Sequence, residues 1–215
     1  ALVYAILSGF WGVVITDLVQ FVIAMFGSIT LAIIALNYVG GMESLLGKLS
    51  EYVGTDVVNK NTLKFIPPVP EAGVTTSTFW ESPFSKFLIY ISVMWWSHHG
   101  TDGGGYIIQR MSSAKNERHA LLATLWYNLA HYALRVWPWI IVAVVSIIMF
   151  PIIPESYTEL GTKAGYPLVM NTLLGPGLKG ILIVSFLAAF MSTIDTHLNW
   201  GVSYLINDIY KRFYK

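Results

Sequence analysis

The stretch Gly180-Ile-Leu-Ile-Val-Ser-Phe-Leu-Ala-Ala-Phe-Met-Ser-Thr-Ile-Asp-Thr196 decides the fold class of this chain. It begins as an apolar membrane helix and then places four polar side chains within five residues: Ser192, Thr193, Asp195 and Thr196. Hydroxyl and carboxylate groups inside an apolar helix cost free energy unless they bind something. Because oxygen atoms are the ligands that hard cations prefer, the stretch predicts a cation site within a membrane helix.

The composition of the whole chain agrees with a membrane protein. The chain has 215 residues, of which 55% are hydrophobic and 12% are charged, and its mean hydropathy is +0.60. A soluble domain carries roughly twice that charged fraction. We therefore expect an all-α integral membrane protein that crosses the plasma (inner) membrane several times. The net charge of +1 gives no reason to expect a nucleic-acid partner, and the absence of cysteine excludes thiolate metal sites.

Four apolar segments predict about four transmembrane helices, since a bilayer takes roughly 20 apolar residues to cross. They cover about residues 10–38, 83–110, 120–150 and 178–210, and residues 1–7 resemble the tail of a fifth helix. Gly100 and Gly103–Gly105 predict a break in the second segment, and Pro138 predicts a kink in the third. We interpret residues 1–215 as one incomplete transmembrane domain, because Ala1 is not an initiator Met and no basic signal-peptide region follows.

Polar stretches separate the apolar segments and predict the topology. Residues 39–83 and 151–177 have mixed charge, whereas the short link of residues 111–119 is basic. Lys and Arg collect on the cytoplasmic side of membrane helices, so this link is predicted to be cytoplasmic and the two longer stretches to be extracellular loops. Apolar residues at helical spacing from Leu45 onward predict a short surface helix in the first loop. The basic residues at the link are Arg110, Lys115 and Arg118.

The polar residues of the 180–196 stretch form two adjoining patches on a helix. Ala189, Ser192, Thr193 and Thr196 recur at intervals of three and four residues and therefore share one face, and Asp195 lies on the neighbouring stripe. The alternative is that the hydroxyls bond back to a carbonyl one turn earlier and serve helix packing only. The carboxylate favours a ligand, because an unpaired carboxylate at that depth demands a cation or a proton.

Asp17 supplies another carboxylate inside an apolar segment. It either belongs to a cation site or is an ordinary residue near the start of its helix, at the cytoplasmic interface. The sequence leaves both interpretations open.

A cluster of aromatic and polar residues in the second apolar segment suits the lining of a pocket for a polar organic solute. Indole rings offer stacking faces, while His and Asp form hydrogen bonds that fix orientation. The alternatives are anchoring of the tryptophans at the lipid interface and hydrogen bonds between helices. No pairing of a nucleophile with a base points to an enzyme. The candidate lining residues are Trp95, Trp96, His98, His99 and Asp102.

Three motifs occur in order along the chain. The first is Gly9-Phe-Trp-Gly-Val-Val-Ile-Thr-Asp-Leu-Val-Gln20, and the second is Gln109-Arg-Met-Ser-Ser-Ala-Lys-Asn-Glu117. The third runs from Gly177 to Asn199 and is followed by Asn207-Asp-Ile-Tyr210. In this order and spacing they resemble the sodium/solute symporter family, at the start of its fifth core helix, at the link after its sixth, and at its eighth.

The resemblance implies a LeuT-type fold of five-plus-five inverted repeats, with solute and ions held near the midplane. It also implies that this chain covers about core helices five to eight, with a remnant of the fourth. In the family, the principal sodium site takes a backbone carbonyl and two hydroxyls from the eighth helix. Those positions match Ala189, Ser192 and Thr193 here. The remaining ligands come from the first core helix, which lies outside the matched part.

Some family members hold a second sodium ion with the fifth-helix aspartate and with hydroxyls one turn further along the eighth helix. Those positions match Asp17, Asp195 and Thr196. Asp195 departs from the pattern, because a hydroxyl is expected there. Two carboxylates around one site either bind sodium tightly or share a proton, so the second ion is Na⁺ or H⁺.

The resemblance implies sodium-coupled secondary active transport (symport) of a small polar solute by alternating access. Sodium is then the coupling ion, no organic cofactor is expected, and the solute is a sugar, a carboxylate, an amino acid or a similar molecule. The Gly103–Gly105 stretch makes its link longer than in sugar-carrying members, so the resemblance does not assign a sugar. The alternative is a transporter-like sensor domain of a signalling protein, because similar domains precede signalling modules.

Overall fold

The part of the chain that the structure describes is helical and contains no strand. The structure is a computed structural model, and it describes residues 2–51, 64, 66–70, 76–94 and 104–214. We number the helices along the chain. They are α1 (Leu2–Tyr38), α2 (Gly41–Glu51), α3 (Thr76–Glu81), α4 (Pro83–Met94), α5 (Gly104–Ser112), α6 (Glu117–Met149), α7 (Gly165–Leu173) and α8 (Pro176–Phe213), with a 3₁₀ helix over Glu155–Ala164 before α7.

Three described helices are long and apolar enough to cross a membrane: Gly9–Tyr38 within α1, α6 and α8. They contain 30, 33 and 38 residues and coincide with three of the four predicted segments. The fourth segment contributes the shorter apolar helix α4, so a fourth span stays a prediction. The long helices carry many exposed apolar side chains, among them Leu18, Val22 and Phe26, as expected of helices that contact lipid.

Glycines cause a kink near the start of α1 and a turn after its end. Gly9 has a φ of +62°, so Leu2–Ser8 and the long helix that follows are two helices joined at a kink, as the sequence predicts. At the other end, Gly40 and Gly41 have φ values of +95° and +90° and turn the chain into α2.

A dry core joins one half of α1 to α6, α7 and α8. Its fully buried members come from all four helices, since Leu31 and Ala35 of α1 meet Val142 of α6, Val169 of α7 and Leu182 of α8. Between α1 and α8, a Cβ on Gly27 would lie 2.7 Å from Leu182 Cδ2. The glycine therefore allows a contact between the two helices that a side chain would block.

Both predicted loops contribute helices to this core. The predicted surface helix is α2, which buries Leu45 and Leu49. The stretch of residues 151–177 contains the 3₁₀ helix and α7, and it buries Leu168 and Val169. It is thus more ordered than the expected loop, because its apolar residues recur at helical spacing and have a core to pack against.

Irregular helical turns occur in both later membrane helices. In α6, residues Leu129–Leu134 form a π turn directly before Arg135, whose N–H bonds to Ala130 O, and Pro138 follows one turn later. In α8, residues Leu205–Tyr210 form a second π turn. Pro138 has no N–H to donate, so a locally widened turn beside it fits the distortion that the sequence predicts.

Candidate functional site

The antiparallel pairing of α1 and α8 brings Asp17 and Ser192 together. Gly27 faces Leu182, and ten residues away on each helix the Ser192 hydroxyl donates a 2.5 Å hydrogen bond to Asp17 Oδ1. Ten residues of helix correspond to about 15 Å, so this contact lies well beyond the dry core. A carboxylate and a hydroxyl from two membrane helices thus form a polar contact within the helix pair.

Arg110 of α5 completes this polar contact. Its Nη2 donates to Asp17 Oδ2 at 3.2 Å and to Thr196 Oγ1 at 2.9 Å. Thr196 lies four residues after Ser192, one turn along the same face of α8. Three helices therefore meet through one carboxylate, one guanidinium and two hydroxyls, and we call Asp17, Arg110, Ser192 and Thr196 the four-residue polar site.

A close contact between α5 and α8 holds Arg110 in place. Gly104, the first residue of α5, has a φ of +55°. A Cβ on Gly105 would lie 2.6 Å from Trp200 ring atoms of α8, so only glycine fits against the indole. Arg110 follows five residues later, opposite Thr196, and Trp200 lies one turn beyond Thr196. Gly104 and Gly105, two of the glycines predicted to break a helix, thus begin α5 and allow its contact with α8.

Asp195 is fully buried beside the polar site. Its side chain is 0% exposed, and its backbone carbonyl accepts a hydrogen bond from Asn199 Nδ2 at 3.1 Å. The hydrogen bonds to Asp17 given above come from Ser192 and Arg110 instead. Asp17 and Thr196 of the predicted second cation site are therefore linked through Arg110, and Asp195 occupies the adjoining stripe.

The other patch on α8 points away from the described helices. Ala189 and Thr193 are exposed, and Thr193 Oγ1 donates to Ala189 O at 3.0 Å. This is the back-bonded arrangement that the packing alternative predicts, so both interpretations of this face remain. Ser192, the third member of the first predicted group, donates to Asp17 and so also belongs to the four-residue polar site.

The predicted solute-lining residues lie outside the described residues. They are Trp95, Trp96, His98, His99 and Asp102, and their role stays a prediction. Within the described part, two buried amide oxygens, Gln20 Oε1 and Gln109 Oε1, accept no hydrogen bond. Gln20 follows Asp17 by one turn of α1 and Gln109 precedes Arg110, so both belong to the two segments that form the polar site.

Arg110 is the site residue that the sequence analysis missed. Its position beside a basic link assigned it to the membrane boundary. A signal was present, because a carboxylate such as Asp17 inside an apolar helix is costly without a partner, and Arg110 is a cation at the end of another apolar segment.

The described helices and the polar site define a helical membrane protein in which a charged contact joins the span in α1 to the shorter helix α5. The sequence pattern of the sodium:solute symporter family matches residues 1–215. The chain belongs to this family, which confirms the resemblance noted in its motifs. The members are transporters and not enzymes, as expected.

Similar curated proteins are cotransporters. The chain is 30% identical to sodium/glucose cotransporter 1 of Mus musculus over 235 residues, which are 99% of this chain and 34% of that protein. It is 25% identical to a sodium/mannose cotransporter of Bos taurus over 225 residues, which are 97% of this chain and 36% of that protein. It is 27% identical to the sodium/myo-inositol cotransporter of Homo sapiens over 231 residues, which are 95% of this chain and 31% of that protein.

The chain spans about a third of the length of these relatives. No solved structure matches it. None of the relatives named here is a sensor, so the comparisons lend no support to the alternative of a sensor domain.

Proposed function

We propose that the full-length protein is a sodium-coupled symporter that carries a small polar solute across the membrane by alternating access. The observation that carries this proposal is the hydrogen bond from Ser192 to Asp17, which joins a hydroxyl-rich face of α8 to a carboxylate of α1. Membrane helices hold such groups where ions or protons pass. The family and the three relatives named above, each a sodium cotransporter, support the same function.

The first sodium ion binds, in this proposal, at Ala189, Ser192 and Thr193 of α8. Ala189 supplies its backbone carbonyl and the other two supply hydroxyls, which are oxygen ligands suited to a hard cation. The exposure of Ala189 and Thr193 leaves room for further ligands from the rest of the protein, since the relatives are about three times as long. The Thr193 hydroxyl oxygen then directs a lone pair to the ion. Its hydrogen either stays bonded to the Ala189 carbonyl oxygen or turns to another acceptor.

The second cation, Na⁺ or H⁺, binds at Asp17 with Thr196 and Asp195. Support comes from the contacts that link Asp17 and Thr196 through Arg110, and from the complete burial of Asp195. Gln20 adds a buried oxygen that accepts no hydrogen bond within the described residues, one turn from Asp17. Coupling requires only that the ions and the solute favour the same conformation.

The solute is a small polar molecule, and its contacts are assigned to Trp95, Trp96, His98, His99 and Asp102. The relatives are named for glucose, mannose and myo-inositol, so polyhydroxylated solutes are the first to test. Carboxylates and amino acids follow, because the longer link around Gly103–Gly105 does not favour a sugar.

Uptake by the full-length protein tests this function. We expect uptake that requires sodium and is lost when choline replaces it, screened over sugars, inositols, carboxylates and amino acids. Replacing Ser192 and Thr193 together by Ala should abolish the sodium stimulation. The matched control is Thr124→Ala in α6, because Thr124 Oγ1 also bonds back to a carbonyl four residues earlier, at 2.9 Å. Normal sodium dependence in the double variant would overturn the sodium assignment.

A further inference from the structure

We propose that Arg110 is a built-in cation that competes with the transported cation for the second cation site. In this structure its guanidinium donates hydrogen bonds to oxygen atoms of Asp17 and Thr196. It withdraws from these oxygen atoms when Na⁺ or H⁺ binds at the second cation site. The inference rests on the proposed function, since it concerns the site at which the second ion would bind. It assigns to Arg110 the control of how tightly that ion binds.

One nitrogen of Arg110 makes both contacts. Nη2 lies 3.2 Å from Asp17 Oδ2 and 2.9 Å from Thr196 Oγ1, and so lies between the carboxylate and the hydroxyl. A cation between the same two oxygens would use the lone pairs that now accept from Nη2. Guanidinium and cation therefore exclude each other, whereas the hydrogen bond from Ser192 to Asp17 Oδ1 can persist in both states.

The described helices do not fully enclose the ion pair. The Arg110 side chain is 33% exposed and that of Asp17 is 24% exposed. A fully buried pair would have to leave one charge dry on separation, which is strongly unfavourable. A partly exposed pair separates at much lower cost, because water and ions take over the freed groups.

Phe10 provides a place to which the guanidinium can withdraw. The Arg110 Cζ lies 6.0 Å from the centre of the Phe10 ring, at the outer limit of a cation–π contact. Phe10 lies seven residues before Asp17, two turns nearer the start of α1 and on the same face. A small movement along α1 thus takes the guanidinium from the carboxylate to the face of an aromatic ring.

The exchange preserves the local charge. Arg110 and Asp17 together are neutral, and a monovalent cation on Asp17 restores neutrality after the guanidinium has left. The site therefore never exposes a bare carboxylate between two membrane helices, which would be costly.

Sodium binding to the purified full-length protein tests the inference. We would titrate ²²Na⁺ at constant ionic strength with choline chloride and compare Arg110→Gln with Arg118→Gln. Arg118 is the matched control, since it is an exposed cation just beyond the same link. Removing the competitor should lower the half-saturating sodium concentration of the second ion about fivefold or more, the range of a site-to-site coupling. Arg118→Gln should leave it unchanged.

Two further variants separate competition from a structural role. In an Asp17→Asn background, Arg110→Gln should have no further effect, because the shared carboxylate is gone. Phe10→Leu keeps the ion pair but removes the ring, so it should raise the half-saturating sodium concentration about twofold or more. If Arg110→Gln fails to fold, the sodium titration of Phe10→Leu tests the proposal in its place.

The outcomes distinguish the two proposals. Equal sodium titrations for Arg110→Gln and Arg118→Gln, in a protein whose uptake is sodium-dependent, would overturn the competition and leave the symport intact. An equal shift with and without Asp17→Asn would do the same. If one half-saturation depends on pH instead of sodium, the competitor is exchanged for a proton, and Arg110→Gln should shift that pH midpoint upward. If the wild-type protein binds no sodium and its uptake does not depend on pH, both the symport and the competition by Arg110 are overturned.

Discussion

The same two helices, α1 and α8, pack in two different ways along their length. At Gly27 and Leu182 the contact is apolar and tight, whereas at Asp17 and Ser192 it consists of hydrogen bonds and a partly exposed ion pair. The apolar end loses packing energy with every displacement. In the exchange proposed above, the polar end replaces one partner of Asp17 by another. We call the apolar contact at Gly27 and Leu182 the fixed end of the helix pair, and the polar contact at Asp17 and Ser192 its exchangeable end.

The fixed end should show the largest response to mutation. We expect Leu182→Ala to destabilise the protein by about 2–5 kcal/mol, because Leu182 is fully buried between α1 and the core and its loss leaves a cavity. Denaturation of the purified protein in detergent measures this. Leu187→Ala, five residues further on the exposed side of α8, should cost far less. Equal losses for the two variants would contradict a fixed apolar end.

The contact between α5 and α8 should respond next. Gly105→Ala places a methyl group 2.6 Å from Trp200 ring atoms, so one helix must shift, at a cost of about 1–3 kcal/mol. The shift should also move Arg110 and change sodium binding. Gly201→Ala is the control, since no atom lies within 4 Å of its Cβ and alanine favours a helix. Trp200→Phe in the Gly105→Ala variant should recover part of the loss, and no recovery would place the strain elsewhere.

The sequence predicted the helices far better than the contacts between them. Apolar length is a local property, and the structure has helices over Gly9–Tyr38, Glu117–Met149 and Pro176–Phe213, close to three of the predicted segments. Periodicity also placed Ser192 and Thr196 on one face of α8. It did not predict Arg110, because Arg110 and Asp17 are 93 residues apart along the chain. The general rule that cations mark the membrane boundary pointed in the other direction.

Glycine shows the same limit. The sequence indicates that Gly103–Gly105 weaken a helix, which is a statement about backbone propensity. That Gly105 admits an indole ring depends on which residue of α8 lies opposite, and no local pattern carries that information. The π turns at Leu129–Leu134 and Leu205–Tyr210 were likewise not predicted, since packing between helices decides between α and π turns.

The exchangeable end should lose little stability but change its ion binding. We expect Asp17→Asn to cost about 1 kcal/mol or less, because both members of the ion pair are partly exposed. The amide keeps the shape of the carboxylate and can still accept the hydrogen bond from Ser192. It loses the charge that attracts a cation, so the sodium Hill coefficient or the pH dependence of uptake should change.

Asp195→Asn sharpens this last comparison, because Asp195 is fully buried on the adjoining stripe of α8. If both carboxylates serve one cation, the two variants should change the same property of uptake, either the Hill coefficient or the pH dependence. If only Asp17 serves it, Asp195→Asn should alter stability and leave the ion dependence as in the wild type. Sodium and pH curves that stay unchanged in both variants would reduce the polar site to a structural contact. The exchangeable end would then differ from the apolar end in composition alone.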